Sequence, residues 1–509
     1  MTAQQTPQEG IDSGTHTEPP LAFRVKLAFG VGAIGEAAYI GMFNTFITIY
    51  YNQAIGLSNT LIGVAVMLAL IADAVTDPLV GLMSDRHRSR LGRRHPFLWA
   101  APVPLAIALY AIFNPPQSII EQTYALFAWL AFWTILSRGF VTLFNVPHLA
   151  LGGELSKQQH ERSQLFSANT VFTYIAGSGF AFFAWSYFQG DRQRASDGAM
   201  VPGQLDPSAY LPLVIFVCAV ILISIWTCAA GTATAAKALS QRPEDQPKFT
   251  LSYFFKTLLR TLKNRNYLIL LCGYFFFMIT SGIFDTLNVF INTYFWELEP
   301  NQIRWFGVVG APAGIIGALC SPLLMRRFDR KPVMLGALVG TVTFAQLVVN
   351  LRLFGMFPDN GDPLLLPCLL ANAIGFFFSI GVGGVAIYSM IGDVIDENEL
   401  VTGLREEGLF YSARAFFAKA SYSFGHFIAG IMLDFFVRLP FEAVPGELGQ
   451  DVLTRLGITA GPIMGSAALV ALFIYARYRL DRNRHAEIIE QINARRSSER
   501  AAGLAAGGL

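Results

Sequence analysis

Apolar stretches long enough to cross a lipid bilayer recur from residue 24 almost to residue 480, and this repetition limits the chain to very few folds. A hydrocarbon core about 30 Å thick needs about 20 predominantly apolar helical residues to span it. Inside that core every backbone N–H and C=O must be satisfied within the protein, which favours helices. The spacing predicts twelve spans, at 24–51, 60–84, 96–114, 122–151, 163–188, 211–234, 267–296, 303–326, 332–352, 363–392, 409–437 and 459–477. Of 509 residues, 53% are hydrophobic and 14% charged, against about a quarter charged in an ordinary soluble domain. The expected fold class is an all-α membrane protein.

Lysine and arginine collect at alternate turns, and short basic loops are retained on the cytoplasmic side. Arg24 and Lys26 precede the first span, while Arg86, Arg88, Arg90, Arg93 and Arg94 fill the second-to-third turn. Arg162, the 235–266 connection, the Arg326, Arg327, Arg330 and Lys331 cluster, and Arg477, Arg479, Arg482 and Arg484 all fall on the same side if both termini are cytoplasmic. The 235–266 connection divides the chain into two six-helix bundles, 24–234 and 267–480, an arrangement suited to alternating access about a central cavity. Residues 249–262 interleave Phe249, Leu251, Phe254, Phe255, Leu258 and Leu259 with basic residues, which reads either as a helix lying on the membrane surface or as an ordinary connector. The polar residues 1–23 carry no cleavable-signal pattern and read as a disordered cytoplasmic tail; 481–509 reads as a second cytoplasmic tail.

Several functional classes drop out. Five scattered cysteines lack zinc-finger or redox spacing, and a net charge of +2 with basic residues confined to turns makes no case for nucleic acid. No nucleophile–base arrangement or metal-ligand cluster points to an enzyme, and no phosphate-binding GxxxxGK[ST] loop points to ATP. No cofactor is expected beyond a coupling ion.

The strongest chemical signal is Asp73 and Asp77 in LIADAVTDPLVGLMSD, four residues apart on one helix face. Two carboxylates there need a cation, a proton or a basic partner, so they read as a coupling-ion site, with Na+ or H+ as occupant, or as a structural network. Pro78 frees the Ala74 carbonyl. Other ionisable residues at costly depths are Glu36, Arg138, Arg414 and Lys419. Lys419 reads as the cation that compensates Asp73 or Asp77 when no ion is bound. Glu36 and Arg138 read as a pair between adjacent helices or as solute contacts. Asp285, Asn288 and Asn292 form a polar stripe expected to face a cavity. In TLFNVPHLALGGELS, Thr142 and Asn145 share a face broken by Pro147, a plausible meeting point of ion and solute. His148 is either a neutral buried histidine satisfied by a carbonyl or a proton relay. Gating is assigned to Asp85, Arg86, Arg90 and Arg93 in the first half, and to Asp393 and Arg405 in the second.

Four segments, DAVTDPLVGLMSDRHRSRLGRRHPF, NVPHLALGGELSKQQHERS, IGDVIDENELVTGLREEGLFYSARAFFAKA and ARYRLDRNRHAEII, occur in an order that resembles the glycoside, pentoside and hexuronide cation symporters of the major facilitator superfamily, the group of melibiose permease. The resemblance covers about residues 24–490. It implies the major facilitator fold, residence in a bacterial inner membrane, a small-molecule solute with a coupling cation, and a working monomer. It also implies that Asp73 and Asp77 are paired cation-binding carboxylates, Thr142 a hydroxyl ligand, and Lys419 the lysine beside them. Thr76 and Asn145 stand at cation-site positions where the melibiose carrier has an asparagine and an acid. Ala37 and Leu149 replace its sugar-binding acid and tryptophan, and Phe166–Val171 carries no counterpart of its arginine. The implied function is symport of a sugar, glycoside or uronide; an amphipathic or lysolipid-like solute is the alternative, since vertebrate lysophospholipid carriers of the same branch keep a similar acid pair and lysine. A non-transporting membrane sensor or scaffold is the alternative of another class.

The topology predicts that a membrane-impermeant thiol reagent labels a cysteine placed at residue 200 from outside the cell, but not one at residue 10, 245 or 500. External labelling at residue 245 would overturn it.

Overall fold

In a computed structural model, residues 21–87, 89–156, 158–188, 190, 192–193, 200–239, 261–403 and 407–506 are described. Residues 1–20, most of the 249–262 segment and Arg405 lie outside them, as does Arg88.

The first half comprises α1 (Phe23–Ile49), α2 (Asn59–Arg86), α3 (His95–Ala100), α4 (Pro102–Ile112), α5 (Gln117–Ile120), α6 (Thr123–Glu154), α7 (Gln159–Phe183) and α8 (Tyr210–Leu239). The second comprises α9 (Arg265–Phe290), α10 (Pro300–Phe328), α11 (Arg330–Leu353), α12 (Leu365–Thr402), α13 (Glu407–Ile431), α14 (Gln450–Ile458), α15 (Met464–Tyr475) and α16 (Arg482–Ala506). Helices α1, α7, α9 and α13 each end in a π-helical turn. A two-residue ribbon pairs Arg192–Gln193 with Met200–Val201.

Eleven described helices or helix runs are long and apolar enough to cross a membrane. They match eleven of the twelve expected spans. The remaining one, 163–188, coincides with α7 and its π turn, Ala184–Phe188, where Asn169, Thr170, Thr173 and Ser178 dilute the apolar content. Its Thr170 and Thr173 hydroxyls donate to the Phe166 and Asn169 carbonyls four residues back, the usual way a hydroxyl is satisfied within a helix. Two corrections concern length. Helix α12 runs to Thr402, ten residues beyond the expected span. Within the expected tail, 482–506 is a helix whose Ile488 and Ile492 are buried against the α11–α12 core.

The halves meet most closely where α2 crosses α13. A β-carbon on Gly63 would lie 2.8 Å from the Phe427 Cα, and one on Gly430 would lie 2.4 Å from the Asn59 carbonyl oxygen, so both positions require glycine for the backbones to approach. At this crossing the Asp434 carboxylate of one half caps the first turn of α2 in the other. It accepts from the Asn59 backbone N–H (3.1 Å) and Nδ2 (2.9 Å), and from the Thr60 backbone N–H and hydroxyl, both 2.7 Å. An anion here also meets the positive end of the helix dipole. Nearby, Gln53 Oε1 accepts from Tyr294 Oη (3.1 Å) and from the Ala443 N–H (3.0 Å), while its Nε2 donates to the Pro440 carbonyl (3.1 Å). Gln204 donates to Thr293 (3.3 Å) and Arg304 to Ser186 (3.4 Å). These contacts close the end of the molecule opposite the basic turns.

Asp434→Ala removes a charged cap and four hydrogen bonds that cross between halves, so it is expected to lower stability by about 1–3 kcal/mol and to free this end to open. Spin-label distances between residues 57 and 438 should gain a longer population in the variant. An unchanged distribution would show that the cap does not hold the halves together.

Candidate functional site

Helix α2 packs on α6 within its own half and on α13 of the other half, so its mid-length face is enclosed by both. Asp73 is 2% exposed, and its Oδ2 accepts from Arg138 of α6 through Nε (2.9 Å) and Nη2 (2.7 Å). One turn along, Asp77 accepts from the Thr142 hydroxyl at 2.8 Å and from Lys419 of α13. Lys419 Nζ also lies 3.8 Å from Asp73 Oδ2. Two carboxylates thus face two cations, and the cluster is charge-balanced as it stands. Asp73 is matched from within the first half by Arg138, whereas the ammonium that matches Asp77 comes from the second half.

Accessibility splits the cluster. Asp77 and Lys419 are 32% and 38% exposed in their side chains, whereas Asp73 is sealed. Two buried oxygens on α2, Asp73 Oδ1 and Thr76 Oγ1, have no hydrogen-bond partner, and their three-residue separation puts them on one helix face. Unsatisfied hard oxygens of this kind suit a small cation or a proton.

Of the two readings of Glu36 and Arg138, the pair between adjacent helices does not form. Arg138 points to Asp73, and Glu36 of α1 accepts instead from Asn145 Nδ2. The spacing held a clue: Arg138, Thr142 and Asn145 recur at i, i+4 and i+7, so the face that carries Thr142 to Asp77 also carries Arg138 towards α2. His148 does not line a cavity. It is buried between the rings of Phe29 (4.3 Å) and Phe144 (4.8 Å), and its Nε2–H donates to the Phe29 carbonyl at 2.9 Å.

Asp285 and Asn288 of α9 line a cavity of about 200 Å³ with Gln346, Phe284, Phe376 and Phe377. Asn292 is buried in the following π turn and donates to Asn288 Oδ1 (3.1 Å). Asp285 accepts from the Tyr422 hydroxyl of α13, which accepts in turn from Asn44 of α1 (2.8 Å), so a polar chain crosses between halves. Tyr422 and Asn44 escaped sequence reasoning because neither is ionisable within the ordinary range. Arg414 sits apart from the acid pair, on Tyr274 and Tyr388.

The sequence leaves the partners in the basic turns open, and the structure pairs them. Asp85 pairs with Arg94, which also donates to Ser84 (2.5 Å) and Glu154 (2.9 Å). Arg93 joins Glu154 at 3.2 Å, and Arg86 and Arg90 are exposed. In the second half Asp393 pairs with Arg330 (2.9 Å) and lies 3.5 Å from His485 of α16. Both clusters are internal to one half, so in this conformation neither closes the interface between halves. Polar contacts that join the halves among the described residues include those from the depth of Asp77 to the Asp434 end.

Arg138→Gln strands a sealed carboxylate, so it is expected to cost about 3 kcal/mol or more. Lys419→Gln, at a site open to water, is expected to cost about 1 kcal/mol or less. Thermal unfolding in detergent measures both; equal losses would show that Lys419 is as locked as Arg138.

Comparison with known proteins agrees with this architecture. Residues 28–482 match the family described as MFS/sugar transport protein. A protein of Salmonella typhimurium named "Putative sulfoquinovose importer" is 25% identical over 494 residues, covering 94% of each chain. One of Escherichia coli named "Putative glycoside/cation symporter YagG" is 26% identical over 446 residues, covering 86% of this chain and 88% of its own. The structure of a D-xylose-proton symporter superposes with a TM-score of 0.59 at 13% identity, over 90% of this chain and 98% of that one, a likeness of fold. With its membrane-spanning helices in two bundles and a family match over most of its length, the chain belongs to the MFS/sugar transport protein family and is an integral membrane transporter, not an enzyme.

Proposed function

We propose that the protein is a secondary active symporter that couples entry of Na+ or H+ to uptake of a sugar-class solute, with Asp73, Thr76, Asp77 and Thr142 as the cation site and Lys419 as the group the cation displaces. One observation carries this reading: of the two α2 carboxylates, the exposed one, Asp77, is matched across the interface between halves, by Lys419, while Arg138 of the same half holds Asp73. The solute class rests on the family and on the names of relatives, glycoside/cation symporter and sulfoquinovose importer.

The order of events follows from charge. With no cation bound, Lys419 holds Asp77 and the halves are joined by an ion pair. A cation entering at Asp77 competes with the ammonium, and the released Lys419 loosens that tie. The acids stay neutralised throughout, by the ammonium in the empty carrier and by the cation in the loaded one, and the displaced Lys419, 38% exposed, is left to water rather than buried unmatched. Asp285, Asn288, Asn145 and Glu36 supply donors and acceptors suited to hydroxyl groups. Phe284, Phe376 and Phe377, which line the second-half cavity with Asp285 and Asn288, favour a solute with an apolar face, which keeps aryl glycosides and amphiphiles in the substrate class to be screened. The state seen, closed at the Asp434 end, is then the one open to the cytoplasm, with both termini on that side of the cell membrane.

Purified protein in sealed vesicles is expected to accumulate solute when a sodium or proton gradient is imposed, and Asp77→Asn is expected to lower gradient-driven accumulation at least about tenfold while exchange of solute persists. A panel of simple sugars, aryl glycosides, hexuronides and lysolipids identifies the substrate. Accumulation that survives collapse of both gradients would contradict symport.

A further inference from the structure

Among the described residues, Arg414 lies within a span and has no carboxylate within ion-pair distance, a condition it shares with Arg304 near the opposite end of the molecule but not with Arg138 and Lys419, which are both paired. It lies on α13 between α9 and α12. Its Nη1 donates to the Tyr274 hydroxyl (2.8 Å) and its Nη2 to the Tyr388 hydroxyl (2.6 Å). The guanidinium carbon stands 5.1 Å from the Tyr274 ring centroid and 4.4 Å from that of Tyr388. Its Nε is buried and has no acceptor.

This arrangement orients the guanidinium and leaves its charge unmatched. Aromatic faces attract a cation but do not neutralise it, and an uncompensated arginine at membrane depth is costly and marks a functional site by default. Three of its five N–H groups remain free after the two tyrosine bonds. Each tyrosine oxygen already accepts from Arg414, so each phenol O–H is available to donate outward. The result is a fork of N–H donors flanked by two O–H donors, with no acceptor among them. That set fits an oxyanion, and the planar fork favours bidentate binding of a carboxylate or sulfonate. Tyr388 is 48% exposed, so the protein itself does not enclose this donor set.

We propose that Arg414, with the hydroxyls of Tyr274 and Tyr388, binds an acidic group on the transported solute, so that the carrier selects anionic over neutral sugar-class substrates. This rests on the reading of the protein as a solute carrier and adds the charge of the solute.

The full-length protein in detergent is titrated calorimetrically with 4-nitrophenyl β-D-glucuronide and with the matching neutral glucoside, with and without Na+. The wild type is expected to favour the glucuronide by at least about tenfold. Arg414→Gln should weaken glucuronide binding by about 10- to 100-fold and leave the glucoside unchanged, while Arg414→Lys and Tyr388→Phe retain part of the preference. Equal loss of both ligands would make Arg414 structural and overturn the proposal; so would unchanged glucuronide binding in Arg414→Gln, or a wild type that binds neither ligand. A variant effect confined to vesicles containing phosphatidylglycerol, with none on glucuronide in detergent, would assign the oxyanion to a lipid headgroup and also overturn it. Glucuronide preference without any cation dependence would sink symport and leave this site standing; cation-dependent binding without preference would do the reverse.

Discussion

Two carboxylates placed one turn apart in a poorly hydrated helix cannot both stay ionised without nearby positive charge, and much of this structure follows from how that charge is supplied. Arg138 comes from the same half, is held by two bonds and faces a sealed acid. Lys419 comes from the other half and meets an acid that water can reach. The first contact belongs to the architecture of one bundle. The second exists only while the bundles sit as they do here, so neutralisation and conformation are the same variable. On the proposed reading, an ion that competes for Asp77 removes one tie between the halves without any separate relay.

The fold was largely legible because a bilayer leaves so little freedom: span length, basic turns and the central connection each follow from simple physical rules. α7 shows the limit of that legibility, since threonine hydroxyls satisfied by the carbonyls four residues back cost little in a helix yet lower its apolar count. The C-terminal helix was missed because only Ile488 and Ile492 of a highly charged stretch are buried, too few to announce a packed face. The candidate site was half legible. Asp73, Asp77 and Lys419 stood out by charge and by resemblance, and the structure brings them together. Arg138 was steered towards Glu36 because sequence gives the depth of a residue along a helix but not the rotation of that helix against its neighbours. The i, i+4, i+7 run of Arg138, Thr142 and Asn145 carried the missing rotational information.

Asp434 illustrates a different blindness. At the end of a span an aspartate looks like any surface acid, and its meaning appears only when the first turn of α2 is brought to it from 374 and 375 residues away. It then satisfies donors that a helix start always leaves open, and it does so across the interface that must part when this end opens. Gly63 and Gly430 allow the close crossing that makes the reach possible.

The two contacts that bridge the halves through a carboxylate differ in how easily they can be exchanged. Lys419 and Asp77 are both about one-third exposed, so water and ions can take either partner's place, and a pair of this kind contributes about 1 kcal/mol or less. The Asp434 cap joins four donors in short bonds at a close backbone crossing, where substitution by water needs the helices to separate first. Loss of the lysine tie alone therefore cannot open the Asp434 end. Opening also requires energy to break the cap, and an ion at Asp77 supplies only the removal of one attraction. In the proposed uptake cycle the empty carrier opens this end, so the strength of the cap sets how much outward-open carrier exists, and a ligand then shifts that equilibrium only by its difference in affinity for the two states. On the proposed symport reading, the exchangeable Lys419–Asp77 tie is the one an ion controls, and the Asp434 cap is the one that sets how readily the empty carrier turns outward.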